Sequence, residues 1–254
     1  MVQVKLKKPA AVLFDFSGTC ARETFVEKYL MPYYKVAFRP YLENNWSKDE
    51  CKEDVKGLTA AASGDSAANI KIDSSGSKKE QVDALCKYIE YCEENKKVNK
   101  AYCMFRFHVW FDGYDKGKVQ TPVYSDVAVH IQKWHCDLKI KLFILSNGWA
   151  DATKKFMSRT SHGDLNILIE SHFDTSLGSL TDTNTYKKVI GKVNEKPASI
   201  VFLTKSAEEG KAAKDAGLTV ILVLTHGKAV EAAEEMCKEK DIPIARSFTQ
   251  IEFF

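Results

Sequence analysis

Apolar residues gather into short unbroken runs toward the two ends of the chain, and these runs predict strands. Ala11-Val12-Leu13-Phe14 leads into Asp15. KIKLFILS covers 139–146, ASIVFLT 198–204 and LTVILVLT 218–225, with a shorter run at 242–244. Each is rich in Val, Ile, Leu and Phe and poor in charge, as strands covered on both faces are. Helical periodicity lies between them, at 126–134, 150–159, 186–193, 207–216 and 228–240. Strands alternating with helices predict an α/β fold built on a doubly wound parallel sheet.

Residues 21–125 break this alternation. They are rich in charge and aromatics, with helical periodicity at 23–44 and 78–94, and the Ser-, Ala- and Gly-rich stretch 60–77 between them reads as a mobile loop. The expected division is a core domain of 1–20 and 126–254 and a helical cap domain of 21–125. Inserted directly after the first strand, the cap would lie over the sheet edge where open α/β folds carry their chemistry.

Composition narrows the function classes. A hydrophobic content of 44% over 254 residues supports a sizeable core. Charge is nearly balanced at +3, with no basic tail or arginine stripe, which argues against nucleic acid as a partner and gives no reason to expect more than a monomer. The opening MVQVKLKKPA is too short and polar for a signal peptide, and no apolar run reaches membrane length. The expectation is no membrane association and a cytoplasmic location, with the nucleus also open. Cys20, Cys51, Cys86, Cys92, Cys103, Cys136 and Cys237 are odd in number and scattered without a C-x-x-C pair, which predicts reduced thiols rather than a disulfide or zinc framework. The sequon Asn45-Trp46-Ser47 reads as chance without a secretion signal.

The candidate chemistry starts at Asp15. An acid closing a buried strand, followed by the Gly18-Thr19 turn, has the spacing of the haloacid-dehalogenase superfamily; the alternative is a carboxylate that only stabilises the turn. Further stretches carry a closer resemblance. They are Trp110-Phe111-Asp112-Gly113-Tyr114-Asp115-Lys116-Gly117-Lys118, then Val123-Tyr124-Ser125-Asp126-Val127, Phe25…Tyr29…Pro32-Tyr33, His172-Phe173-Asp174-Thr175…Gly178…Tyr186, and Val201-Phe202-Leu203-Thr204. In order, and from about residue 11 to 227, they resemble the enolase-phosphatases (acireductone synthases) of methionine salvage. The resemblance implies a Mg²⁺-dependent enzyme that enolises a phosphorylated 5-methylthio-diketopentyl substrate and removes its phosphate, yielding an acireductone.

Carried over one residue at a time, the resemblance finds a damaged site. Asp15 matches the nucleophile, which also binds Mg²⁺. Ser17 stands where the family has the acid that protonates the leaving oxygen and activates water, help worth roughly 10²–10⁴-fold. Ser146 matches the hydroxyl that bonds the phosphoryl group, and Asn147 follows it in place of Ser; an equal alternative is that Ser146 and Asn147 cap the helix at 150–159. Trp149 is large enough to fill part of the phosphate pocket. Leu180 occupies the place of a Lys that neutralises nucleophile and phosphate, with Lys187 and Lys188 as remote substitutes on a solvated helix face. Lys205 replaces an acidic Mg²⁺ ligand and inverts its charge, while Glu208 and Glu209 follow, Glu209 at the place of a family acid.

One consequence is an expected Asp15–Lys205 ion pair, since opposite charges about 4 Å apart are worth roughly 4 kcal/mol at an effective dielectric near 20. His108 on the cap reads as packing, and His130, His135, His162, His172 and His226 lack metal-ligand spacing. The leading expectation is a folded but catalytically impaired relative, a pseudophosphatase or binding protein. Its partner would be a small phosphorylated metabolite or an unknown protein. The alternative is an active Mg²⁺-dependent enolase-phosphatase, and a weaker one keeps only the enolisation step.

Overall fold

The computed structural model describes residues 3–225 and 227–254, so Met1, Val2 and His226 lie outside the described residues. One unit comprises the chain up to Phe25 together with everything from Gln120 onward; the other is Val26–Val119.

The second unit is helical. A π-helical turn, Val26–Leu30, enters α1 (Met31–Asn45), followed by α2 (Asp49–Gly64), α3 (Lys78–Glu94) and α4 (Lys100–Asp115). Local chemistry sets these limits. Asp49 and Glu50 place negative charge at the N-terminus of α2. Ser77 and Glu80 form a reciprocal capping box on α3. Asn99 Oδ1 accepts from Tyr102 N–H (2.9 Å) at the start of α4. Tyr34, Leu42, Leu58, Leu85, Ile89 and Phe105 are buried between the helices. The stretch 60–77 is not loop throughout: Ala60–Gly64 complete α2, because alanine is the strongest helix former and Ala62 lies on the buried face.

The Trp110/Gly113 signature has a packing explanation inside this unit. Trp110 Nε1–H donates to Leu30 O (3.0 Å), and a Cβ on Gly113 would stand 2.5–2.8 Å from the Tyr33 ring. Only glycine lets α4 and Tyr33 approach so closely. A polar cluster joins α1, α2 and α4. His108 Nδ1 lies 2.8 Å from the buried Asp54 carboxylate, and the Tyr41 hydroxyl donates to Asp54 and to Glu50 at 3.2 Å each.

The first unit carries the sheet. Its elements are β1 (Val4–Leu6), β2 (Ala11–Phe14), α5 (Ser125–Cys136), β3 (Lys141–Leu145), α6 (Ala150–Ser158), β4 (Ser171–Phe173), α7 (Thr183–Val193), β5 (Ile200–Thr204), α8 (Ala207–Asp215), β6 (Thr219–Val223), α9 (Gly227–Lys240), β7 (Ile244–Ala245) and β8 (Ile251–Phe253). Six of the strands form one parallel sheet in the order β4-β3-β2-β5-β6-β7, and β1 pairs with β8 separately. Every residue of β2 is buried, as its unbroken apolar run requires. The chain winds outward from β2 through β3 to β4, then returns to β5 on the other side. β2 therefore sits at the topological switch point, where α/β sheets open a crevice beyond the strands' carboxyl ends. The C-terminal segment is tied to α5: Phe248 N–H donates to Asp126 Oδ2 (2.9 Å), and its ring stacks on Trp134 at 5.3 Å. Among the described residues no helix is long and apolar enough to cross a membrane.

Candidate functional site

Asp15 follows β2 directly, and its backbone is held on both sides. Its N–H donates to Leu203 O (2.9 Å) and its carbonyl accepts from Cys20 Sγ (3.2 Å). The side chain is only 6% exposed. Burial, and then the nearby Glu209 carboxylate, push its pKa up to about 7, against the opposing charge of Lys205 and hydrogen bonds from the Phe16 and Ser17 backbone. The chain then turns sharply, with Gly18 at φ +82° and its N–H donating to Ala21 O (2.7 Å). Ser17 lies exposed on this turn.

On one side of β2, where Phe14 pairs with Ile144, Ser146 leaves β3 one residue beyond the level of Asp15. Its N–H donates to Phe173 O (3.0 Å), and its hydroxyl accepts from Gly148 N–H (3.0 Å). Asn147 is exposed. The capping role expected of Ser146 and Asn147 falls instead to Asp174, whose carboxylate accepts from Ala150 N–H (2.8 Å) and Ser176 N–H (2.9 Å). A carboxylate is the stronger acceptor at a helix N-terminus, which explains the substitution.

On the other side, Lys205 follows β5. Its partner differs from the expected one: Lys205 Nζ ion-pairs with Glu23, and no direct pair joins it to Asp15 among the described residues. Lys205 still acts on Asp15 through space, lowering its proton affinity. Its stem crosses the Gly18 turn so closely that a Cβ on Gly18 would stand 2.5 Å from Lys205 Cδ and 3.1 Å from both Nζ and Glu23 Cγ. Glu209, half-buried, accepts from Thr204 Oγ1 (3.2 Å), and its N–H is capped by Ser206 Oγ (3.3 Å). Glu208 is exposed.

Asp15, Ser17, Ser146, Asn147 and Lys205 thus follow the carboxyl ends of three adjacent strands, and Glu209 lies in the first turn of α8 beyond β5. Leu180 does not join them as a ligand would: it is buried among apolar side chains that include Phe173, Tyr186 and Val189, where an aliphatic residue belongs. Lys188 is no substitute for the missing cation, since its ammonium donates to Leu177 O (2.7 Å), and Lys187 is exposed. Glu23 and Asp174 were missed in the sequence. Asp174 has one signal, its place in the His172-Phe173-Asp174-Thr175 stretch that carries the resemblance, whereas Glu23 lies far from its partner in sequence.

The residues present do not fit Mg²⁺. The ion takes oxygen ligands in near-octahedral geometry, and a fixed ammonium among them repels a second positive charge. Among the described residues no group of three or more His, Cys, Asp or Glu is arranged to hold a metal.

A parallel sheet bearing a buried acid at the carboxyl end of its switch-point strand, with a helical unit inserted just after that strand, defines a haloacid-dehalogenase-like protein. Solved structures agree on the fold. The Unknown transcript 4 protein of Saccharomyces cerevisiae superposes with a TM-score of 0.70 at 20% identity, covering 94% of this chain and 98% of that one. CbbY from Rhodobacter sphaeroides superposes at 0.51 and 14% identity, covering 94% and 95%. No protein-family model matches the chain. Sequence relatives narrow the class: enolase-phosphatase E1 of Xenopus tropicalis is 31% identical over 247 residues, 95% of this chain and 94% of the relative. Enolase-phosphatase E1 of Danio rerio is 31% identical over 249 residues, covering 94% and 93%. That of Aquifex aeolicus is 30% identical over 217 residues, covering 85% and 91%. The chain belongs to the enolase-phosphatase family.

Proposed function

We infer that this chain is a catalytically impaired member of its family, which keeps the fold and Asp15 but hydrolyses phosphate weakly or not at all. The observation that carries the reading is Lys205, ion-paired to Glu23 across the Gly18 turn, at the position where the resemblance expects an acidic metal ligand. Two further departures support it. Ser17 offers an exposed hydroxyl, which stays protonated near neutral pH and cannot relay the proton that an acid there would. Leu180 is sealed in the core and supplies no charge to a phosphate. The partner on this reading is a small phosphorylated metabolite, held at the strand ends and not turned over, or an unknown protein.

The test is phosphate release from the purified protein with Mg²⁺, beside the restored triple variant Ser17→Glu, Leu180→Lys, Lys205→Asp. The unmodified protein should be slower by at least about 100-fold, the low end of general acid–base assistance. Turnover equal to that of an ordinary relative would refute the reading.

A further inference from the structure

One ammonium at the strand ends acts on three carboxylates: Lys205 ion-pairs with Glu23, whose side chain is 63% exposed, and its charge reaches the buried Asp15 and the half-buried Glu209. Resting on the reading above, we propose that Lys205 is the site's resident cation, latched by Glu23, and that this carboxylate cluster is stable without a divalent metal.

The placement of the lysine argues for this role. Its stem is packed on Gly18, a residue at φ +82° with no side chain to displace it, so the ammonium is delivered to a fixed place and does not sweep freely through solvent. Its side chain is only 32% exposed. Glu23 holds the ammonium from the outside, while the positive charge of Lys205 lowers the proton affinity of both Asp15 and Glu209. Lys188 bonds a carbonyl, and Arg22 is exposed, with its charge acting on Tyr124. A bound divalent ion would have to share these carboxylates with a lysine that cannot leave without uncovering Gly18 and releasing Glu23. Burying like charges together costs far more than a surface ion pair returns.

Calorimetric unfolding of the full chain at neutral pH and matched ionic strength tests the proposal, with millimolar MgCl₂ or with EDTA. The unmodified protein should show the same Tm in both. Lys205→Met should lower Tm by roughly 3–6 °C, the range expected when a favourable charge interaction is lost from a chain of this size. Lys205→Asp should unfold lower still and recover with Mg²⁺. A Mg²⁺ gain in the unmodified protein as large as in Lys205→Asp overturns the proposal, as does Lys205→Met with an unchanged Tm. Should Lys205→Asp fail to fold, Mn²⁺ titration of the unmodified protein by electron paramagnetic resonance decides: the spectrum of free Mn²⁺ supports the proposal and one sub-millimolar bound ion refutes it. The two readings fail separately. Phosphate release that persists in EDTA sinks the impaired-enzyme reading alone, and Mg²⁺ stabilisation without phosphate release sinks the resident cation alone.

Discussion

Asp15 and His172 pull stability in opposite directions as pH falls. Asp15 is raised to about 7 by burial and Glu209, so the folded chain holds a proton that the unfolded chain releases near 3.8. Its contribution is fully favourable below 3.8 and is lost as pH rises through 7. His172 is pushed down to about 4 by burial and the charge of Lys154; it sits between Thr153 Oγ1 (2.9 Å) and Asn166 Oδ1 (2.8 Å) as a neutral ring. The unfolded chain protonates it near 6.5 and the folded chain does not, so stability falls between 6.5 and 4. Asp15→Asn should therefore stabilise the protein at pH 7.5 by on the order of 2 kcal/mol, and by less at pH 5, in urea titrations. His172→Gln should flatten the acid limb of the same curves. His108 adds a third slope, within the helical unit. Burial opposes its charged form, but the hydrogen bond to Asp54 and the charges of Asp54 and Glu50 outweigh that and raise its pKa. Its contribution is complete below 6.5 and fades above the raised value. Following the His108 ring by NMR should show that titration, and His108→Gln should remove the corresponding slope in stability.

Single contacts set several of the elements. Gly113→Ala should cost about 1–3 kcal/mol, the usual penalty of overpacking, because the Tyr33 ring stands where the methyl would go. Thermal unfolding monitored by circular dichroism checks it. Asp174→Ala leaves the Ala150 and Ser176 amides without their acceptor and should cost about 1–2 kcal/mol by the same measurement. These elements were unequally legible in the sequence. The helix at Lys78–Glu94 could be read because Ser77 and Glu80 announce its start and its apolar residues recur on one face. The helix Asp49–Gly64 escaped notice because its buried face is made of Cys51, Asp54, Leu58 and Ala62, too small and polar to mark a period. Ser171–Phe173 was missed for a related reason: two of its three residues are polar and half-buried at the sheet edge, so no apolar run marks it. Val4–Leu6 and Ile251–Phe253 are short and pair only with each other, a contact between the chain's two ends that no local pattern reveals.

Across the whole molecule the cysteines give the simplest expectation. Cys20, Cys51, Cys86, Cys92 and Cys237 are buried, Cys103 is half-buried and Cys136 is exposed, all as free thiols. A thiol-reactive dye should label Cys136 first, Cys103 more slowly and the others only on unfolding, read by mass spectrometry. The strand-end site was legible where it follows from the alternation of strands and helices: Asp15, Ser146 and Lys205 each close an apolar run. Glu23 was not, since an ion pair between residues so far apart in sequence exists only once the sheet has brought their loops together. That crossing of Lys205 over Gly18 also bears on the order in which substitutions can be made. Replacing the lysine with an acid before any metal is bound strands Glu23 and sets a new negative charge beside Asp15 and Glu209. Adding a carboxylate at position 17 places one more acid on the same turn. Each substitution made alone therefore adds negative charge near the buried Asp15 without a matching cation, so the order in which such changes are combined sets the stability of each intermediate variant.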